Sequence, residues 1–245
     1  MKTLLRTALL GGLLASVTQP VHADAWTHEF APYLMGAGLS GETGVGDAVI
    51  DVDASFGDIL DNLKFGFMGA YRGSKGPYSV MVDTIYVKLE ASSKGPGGQL
   101  SAKAEIQQAV VEADLGYALN ERLELLAGLR YVGLQARVQA SGPQDQRLAG
   151  SKDESWIDPV IGVRYTWPLG DQWSAALRGD AGGFGVGSDL AWQAMASLRW
   201  QTSSRVGWLL AYRHLDMDYE SGSGNRAFEY DMAMSGPALG VVLSF

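Results

Sequence analysis

The chain contains no cysteine, which excludes a disulfide-stapled scaffold and a cysteine-ligated metal site. Basic residues are in deficit: Lys+Arg number 19 against 27 Asp+Glu, a formal charge of -8. No cationic surplus exists to neutralise phosphates, so a nucleic-acid partner is not expected. Histidine is scarce, with 3 in the chain, and proline is limited to 8. Beyond the N-terminal segment no stretch approaches the roughly 18 consecutive apolar residues of a membrane helix. What the chain does have is 32 glycines and 24 aromatics (7 Trp, 10 Tyr, 7 Phe). That aromatic content argues against disorder.

The N-terminus reads as an address. Lys2 and Arg6 form a positive region, Ala8 to Val17 an apolar run too short to span a bilayer, and Val21-His22-Ala23 a small-residue cleavage site. Residues 1–23 are expected to be a secretory signal peptide and residues 24–245 one mature domain. Loss of Lys2 and Arg6 leaves 17 bases against 27 acids, a net charge of -10.

From residue 26 onward the period is two. Ile157, Pro159, Ile161, Val163, Tyr165 and Trp167 alternate with Asp158, Val160, Gly162, Arg164 and Thr166. Leu190, Trp192, Ala194, Ala196, Leu198 and Trp200 alternate with Ala191, Gln193, Met195, Ser197 and Arg199. Such alternation is strand geometry with one apolar and one mixed face. Ten runs are read: 26–39, 63–73, 77–90, 102–118, 122–138, 155–168, 172–182, 189–202, 205–220 and 227–245. Short links (73–76, 119–121, 169–171, 203–204) alternate with longer ones (40–62, 91–101, 139–154, 183–188, 221–226). This is the layout of a transmembrane antiparallel up-and-down β-barrel of about ten strands, with eight or twelve as alternatives. The runs exceed the five or six residues usual in a soluble sandwich and suffice for the roughly 9–11 of a membrane strand. Trp26, Phe30, Tyr78, Tyr117, Tyr165, Trp167, Trp173, Trp200 and Trp208 lie at run ends, as girdle residues do. Leu239, Val241, Leu243 and Phe245 share one face and resemble the C-terminal assembly signal of outer-membrane barrels.

With the apolar face assigned to lipid, the other face lines a lumen. The inward charges so assigned are Asp83, Glu112, Asp114, Glu124, Asp158, Asp180 and Asp189 against Lys64, Arg72, Arg130, Arg164, Arg178, Arg199 and Arg213. Charges in a narrow barrel must be paired or hydrated. The reading favours a salt-bridged, largely plugged lumen over a thin aqueous path, because ten strands enclose far less than the 16–18 of open porins. In runs 122–138 and 227–245 the polar side changes phase along the strand. Bulges at Gly133 and Gly236-Pro237 would do this; so would outer ends that project beyond the lipid.

Ser55 and Asp58 resemble a capping box, and Phe56, Ile59, Leu60 and Leu63 recur at helical spacing. A two-turn helix is expected in the first long loop, placed either in the barrel mouth as a plug or on the surface. Asp51, Asp53 and Ser55 fail as a calcium loop, since Phe56 and Asn62 stand where Gly and Glu are needed. Gly182 to Gly187 joins two strands and reads as a hairpin, not a phosphate cradle. The mature chain holds His28 and His214. Asp216 with Ser221 or Ser223 is the one conceivable triad around His214, and no motif supports it. No enzymatic activity, cofactor or metal is expected.

Ala31-Pro32-Tyr33-Leu34, the 55–63 segment, Asp83 to Tyr86, Arg178 to Leu190, Trp192-Gln193, Tyr212-Arg213 and Ser235-Gly236-Pro237 resemble a widespread family of small, mostly uncharacterised Gram-negative outer-membrane barrel proteins. The resemblance implies outer-membrane residence and no catalytic residues. Expected partners are outer-membrane lipid, lipopolysaccharide and the barrel-assembly machinery, with the protein a monomer. A structural or narrow-channel role leads; adhesion through extracellular loops is the alternative, and a lipid-modifying enzyme the least favoured.

Overall fold

The structure, a computed structural model, describes residues 25–94, 101–141 and 147–245. The expected signal peptide lies outside these residues. The described chain forms strands β1 (Thr27–Met35), β2 (Gly38–Val45), β3 (Ala48–Ala54), β4 (Leu63–Lys75), β5 (Tyr78–Lys94) and β6 (Ser101–Ala118). It continues with β7 (Leu123–Ser141), β8 (Arg147–Pro168), β9 (Trp173–Gly183), β10 (Leu190–Gln201), β11 (Val206–Ser221) and β12 (Phe228–Ser244). Helix α1 (Phe56–Asn62) joins β3 to β4. All strands except β2 and β3 make the wall, a closed antiparallel barrel of ten, with β12 returning to pair β1.

The short turns are set by local side chains. Asn120 Oδ1 accepts from the backbone N–H groups of Arg122 and Leu123, both at 2.9 Å, and Ser203 Oγ accepts from Val206 N at 3.1 Å. At the other end, segments read from the sequence as loops are strand. β5 and β6 pair up to Lys94↔Ser101, and β7 and β8 up to Ser141↔Arg147. The β5–β8 wall is therefore much taller than β9–β10, whose hairpin turns at Gly183, Phe184 and Gly185, all at positive φ.

The first strand also departs from its expected single run of 26–39. β1 pairs β4 only as far as Pro32↔Gly69, and the ladder ends at a residue that has no N–H to donate. The chain breaks at Gly36, whose N–H is held by Pro237 O at 2.8 Å, and β2 then resumes along the upper part of β12. β3 returns beside β2, and α1 crosses to the top of β4.

The inside–outside phase is constant along β7, β8, β11 and β12. Ladders β7–β8 and β11–β12 run without a register shift from end to end. No bulge occurs at Gly133 or at Gly236-Pro237; the register shift falls instead between Leu63 and Phe65. Of the two accounts of the phase changes, the bulge is the one the register excludes: the faces stay constant and their polarity changes along the strand. Outward Leu125, Leu129 and Tyr131 of β7 give way to outward Gln135 and Arg137. Outward Leu243, Val241 and Leu239 of β12 give way to outward Asp231 and Glu229. Val163 points out at 46% exposure while Thr166 faces in.

Candidate functional site

The interior has two tiers of opposite character. The tier at the short-turn end, which is the periplasmic side in the layout of an outer-membrane barrel, is polar. At its top, Arg130 and Arg178 are locked among three carboxylates. Arg130 Nε donates to Glu112 Oε2 at 2.6 Å and Nη2 to Asp180 Oδ1 at 2.5 Å. Arg178 Nε donates to Asp180 Oδ2 and Nη2 to Asp114 Oδ2, both at 2.9 Å, and Nη2 also reaches Glu112 Oε1. Gln193 Nε2 adds a bond to Asp180 at 2.8 Å. Beside this cluster Arg213 Nη1 donates to Asp83 Oδ1 at 2.7 Å, and the Tyr33 hydroxyl donates to both Asp83 oxygens at 3.1 Å. Lower down, Glu124 accepts from Arg72 at 2.8 and 3.1 Å, from Ser79 Oγ at 2.5 Å and from Arg164 at 3.3 Å. A cavity of about 410 Å³ extends from the periplasmic turn Asn120–Leu123 up to Glu112, Arg178 and Gln193.

Arg130 is 0% exposed, so its charge is carried entirely by these partners. Isolated burial of such a charge would cost several kcal/mol. Asp114 Oδ1, Arg130 Nη1, Gln193 Oε1 and Arg213 Nε are buried without a protein partner. In a polar cavity such atoms are the positions at which ordered water is expected.

The extracellular tier is apolar. Val132, Leu215, Ile85, Val110 and Met217 are at most 1% exposed. Met35, Trp156, Tyr219, Phe228, Tyr230, Met232 and Met234 pack with them into one cluster. Trp156 stacks on Tyr219 with ring centroids 4.0 Å apart, joining β8 to β11 above the short β9–β10 hairpin. Sequence reading missed this tier because it equated the apolar face with lipid everywhere.

Four expected placements need correction. Asp189 is exposed at the rim and joins no lumen ion pair among the described residues. Arg199 faces inward near the periplasmic rim and pairs with Glu29 at 2.7 Å, away from the central cluster. Asp158 is buried, yet it accepts from Ser188 N at 2.6 Å and Ser188 Oγ at 2.8 Å, so it anchors the β9–β10 hairpin and joins no ion pair among the described residues. Lys64 points outward toward Glu90 at 3.9 Å, because the register shift beside it reverses its face. The other inward charges fall into three ion-paired groups: Asp83 with Arg213, Glu124 with Arg72 and Arg164, and Glu112, Asp114 and Asp180 with Arg130 and Arg178. Glu29, Tyr33, Ser79, Ser188 and Gln193 were missed; apart from Ser188, which lies in the hairpin, each shares the inward phase of its strand, which was the available signal.

The helix is capped as expected. Ser55 N donates to Asp58 Oδ2 at 2.9 Å, and Asp58 N to Ser55 Oγ at 3.3 Å. These bonds to Ser55 hold the Asp58 carboxyl below its ordinary pKa. It is no plug, however: none of its residues is buried. Phe56 and Leu60 are exposed, as is Leu63 just beyond the last turn, and Ile59 is half-buried. A side chain added at Gly36 would meet the Phe56 ring and Pro237 at 3.7 Å, which places Phe56 against the outer surface of the wall, beside outward Pro237. The apolar spacing belongs to a helix that rests outside the wall, with Phe56 against it.

Leu239, Leu243 and Phe245 are exposed on the outer face together with Val241. His28 joins the periplasmic girdle, with Nδ1 2.8 Å from Tyr71 Oη and its ring stacked on Phe245. His214 lies outward near the other rim. Its Nδ1 is 2.6 Å from Ser235 Oγ across the strand pair, and Nε2 is 4.0 Å from Asp216 Oδ2. The serine beside it is thus Ser235, not Ser221 or Ser223. Among the described residues no group of acidic or histidine side chains forms a metal site.

No family model and no curated protein matches the chain. Solved structures of small Gram-negative outer-membrane barrels do. Ail, the attachment invasion locus protein of Yersinia pestis, is 12% identical with a TM-score of 0.42, covering 91% of this chain and 100% of its own. The translocator domain of autotransporter NalP from Neisseria meningitidis is 13% identical at a TM-score of 0.41, covering 92% and 90%. Neisserial surface protein A is 12% identical at 0.31, covering 89% and 97%. The likeness is one of fold.

Proposed function

We propose that this chain is a small outer-membrane barrel that is closed toward the cell exterior and serves a structural role in the envelope, without enzymatic activity. One observation carries the reading: the extracellular half of the lumen is packed with apolar side chains, six of them at most 1% exposed. A water-filled path has no place in such packing, because its walls would lose their apolar contacts. The salt-bridged tier beneath adds a second layer whose charges are already committed to one another. In this reading the protein is exported with cleavage after Ala23, and Leu239, Val241, Leu243 and Phe245 present its last strand to the assembly machinery. It works as a monomer surrounded by outer-membrane lipid. Purified mature protein in planar bilayers is expected to be electrically silent. Steady single-channel steps would overturn the closed reading.

A second reading, a lipid-ester hydrolase, has one observation in its favour. Ser235, His214 and Asp216 align on the outer surface at the rim, with serine and histidine within hydrogen-bond reach. Release of fatty acid from ester lipids by the wild type, abolished in Ser235→Ala, would establish it. No release from either form is expected.

A further inference from the structure

Just beyond the apolar belt, opposite walls of the barrel carry opposite outward charge. On the tall wall, Glu90, Glu105 and Arg137 stand in one cross-strand row over β5, β6 and β7. Lys64 and Lys103 both reach Glu90, at 3.9 and 3.1 Å. Lys88 and Arg137 both reach Glu105, at 2.9 and 3.7 Å. Four cations thus share two carboxylates. Each remains substantially open to solvent, so the surplus positive charge faces outward. Across the barrel, Asp51, Glu42, Asp231 and Asp218 form a row of four carboxylates over β3, β2, β12 and β11. Among the described residues no ion pair reaches that row. Directly opposed like charges are destabilising, so packing alone gives no reason for this division.

Beneath the cationic row lies an outward groove of about 270 Å³ lined by Tyr86, Gln107, Tyr131, Gly133, Gln135 and Ser155, with the carboxylates of Asp153 and Glu154 on its β8 side, the latter paired with Lys152 at 2.6 Å. Gly133 keeps it open: a Cβ there would come within 2.8 Å of the Tyr131 hydroxyl. Groove and cations are physically linked. Tyr86 Oη donates to Gln107 Oε1 at 2.9 Å, and Gln107 Nε2 donates to Glu105 Oε1 at 2.9 Å. Below the groove the outward face is lipid-facing Val82, Thr84, Val111 and Leu129. From top to bottom the wall therefore offers paired cations, then hydroxyls, amides, two aromatic rings and the Asp153 carboxylate, then a hydrocarbon surface.

We propose that this wall is a binding site for a phosphorylated glycolipid of the outer leaflet. Its phosphates lie on Lys88, Arg137, Lys103 and Lys64, its sugars in the Tyr86–Tyr131 groove, and its acyl chains down β5–β7. Two cation pairs around two carboxylates suit a headgroup with two phosphates. Amides and hydroxyls suit sugar rings better than the small headgroup of an anionic phospholipid. The inference is independent of whether the lumen conducts.

The test uses mature protein in detergent micelles mixed with diphosphorylated lipid A, with retained lipid counted by native mass spectrometry. Each cation near a membrane surface changes affinity by about fivefold, so Lys88→Ala/Arg137→Ala should weaken retention on the order of 25-fold. Asp218→Asn/Asp231→Asn, on the opposite wall, should leave it unchanged. On wild-type protein, enzymatically dephosphorylated lipid A should be retained as poorly as the diphosphorylated form is by the double variant. Equal retention of phosphorylated and dephosphorylated lipid would overturn the site. So would a double variant that binds like wild type, and equal competition by phosphatidylglycerol would overturn the assignment to a glycolipid.

Discussion

The two halves of this barrel are built on opposite rules. In the membrane half, apolar side chains point out and the interior holds Arg72, Glu112, Asp114, Glu124, Arg130, Arg178 and Asp180. In the extracellular half, Glu42, Asp216, Asp218, Arg137 and Asp231 point out, and the interior holds Met, Leu, Val and aromatic residues. Apart from the shift beside Lys64 in β4, the strands do not change phase between the halves; only polarity inverts. Below the outer girdle the surroundings are hydrocarbon, so charges withdraw inward and must find one another. Above it the surroundings are water, and the same ladder behaves as a soluble barrel that buries an apolar core. One set of strands thus carries two cores, and each is stabilised by the interaction that its own exterior leaves available.

The comparison is broken most severely at the ionic core. Arg178→Ala leaves Asp114 without its ion pair and Glu112 and Asp180 with Arg130 alone, and should destabilise by about 3–5 kcal/mol. Its denaturant midpoint in detergent should fall while bilayer conductance stays absent. A mutant of unchanged stability that conducts with cation selectivity would show that the lower core is solvated as a path. At the apolar core, Leu215→Ala should cost about 2–5 kcal/mol by loss of packing and creation of a cavity. A loss below about 1 kcal/mol would show that the upper half is loosely filled.

The outer surface of the membrane half gives the next effect. Val163→Arg places charge against lipid and should destabilise by about 2–4 kcal/mol near mid-depth, whereas inward Thr166→Arg should cost less. Equal or reversed costs would contradict the phase on which both cores rest. The smallest effect lies on the outside of the upper half. Glu42 has its pKa raised, chiefly by facing Asp51, and Asp218 by partial burial and then by Asp231. A raised carboxyl costs stability above its folded pKa, and that cost vanishes as pH falls through it. Amide protection in the β2–β3 hairpin, corrected for intrinsic exchange, should therefore rise as the medium is acidified from neutrality. Glu42→Gln should remove most of the dependence.

Ten wall strands, the short-turn end, the lipid-facing phase and the capping box were all legible in the residues. Each depends on period two, on turn chemistry or on neighbours a few positions apart. Asp158 and Arg199 were assigned the right face but lie outside the central ion-pair cluster, because a partner across the lumen is set by strand tilt and by which hairpin leans inward. The apparent phase changes in β7 and β12 needed the register to be understood. A polarity pattern cannot distinguish a side chain that has turned around from one that has left the membrane.

By itself, then, the sequence determined that this chain alternates, closes and faces hydrocarbon over a belt with aromatics at both edges, since those are local properties of each strand. Only the tertiary structure decided what fills the interior and where α1 lies. It took the unequal heights of β5–β8 and β9–β10 to bring Trp156 onto Tyr219 across the notch. It took the break at Gly36 to set Phe56 against the outer wall beside Pro237. The reason is physical: burial is a property of what surrounds a residue, and in a barrel those surroundings come from strands far apart in the chain and change from lipid to water along one strand.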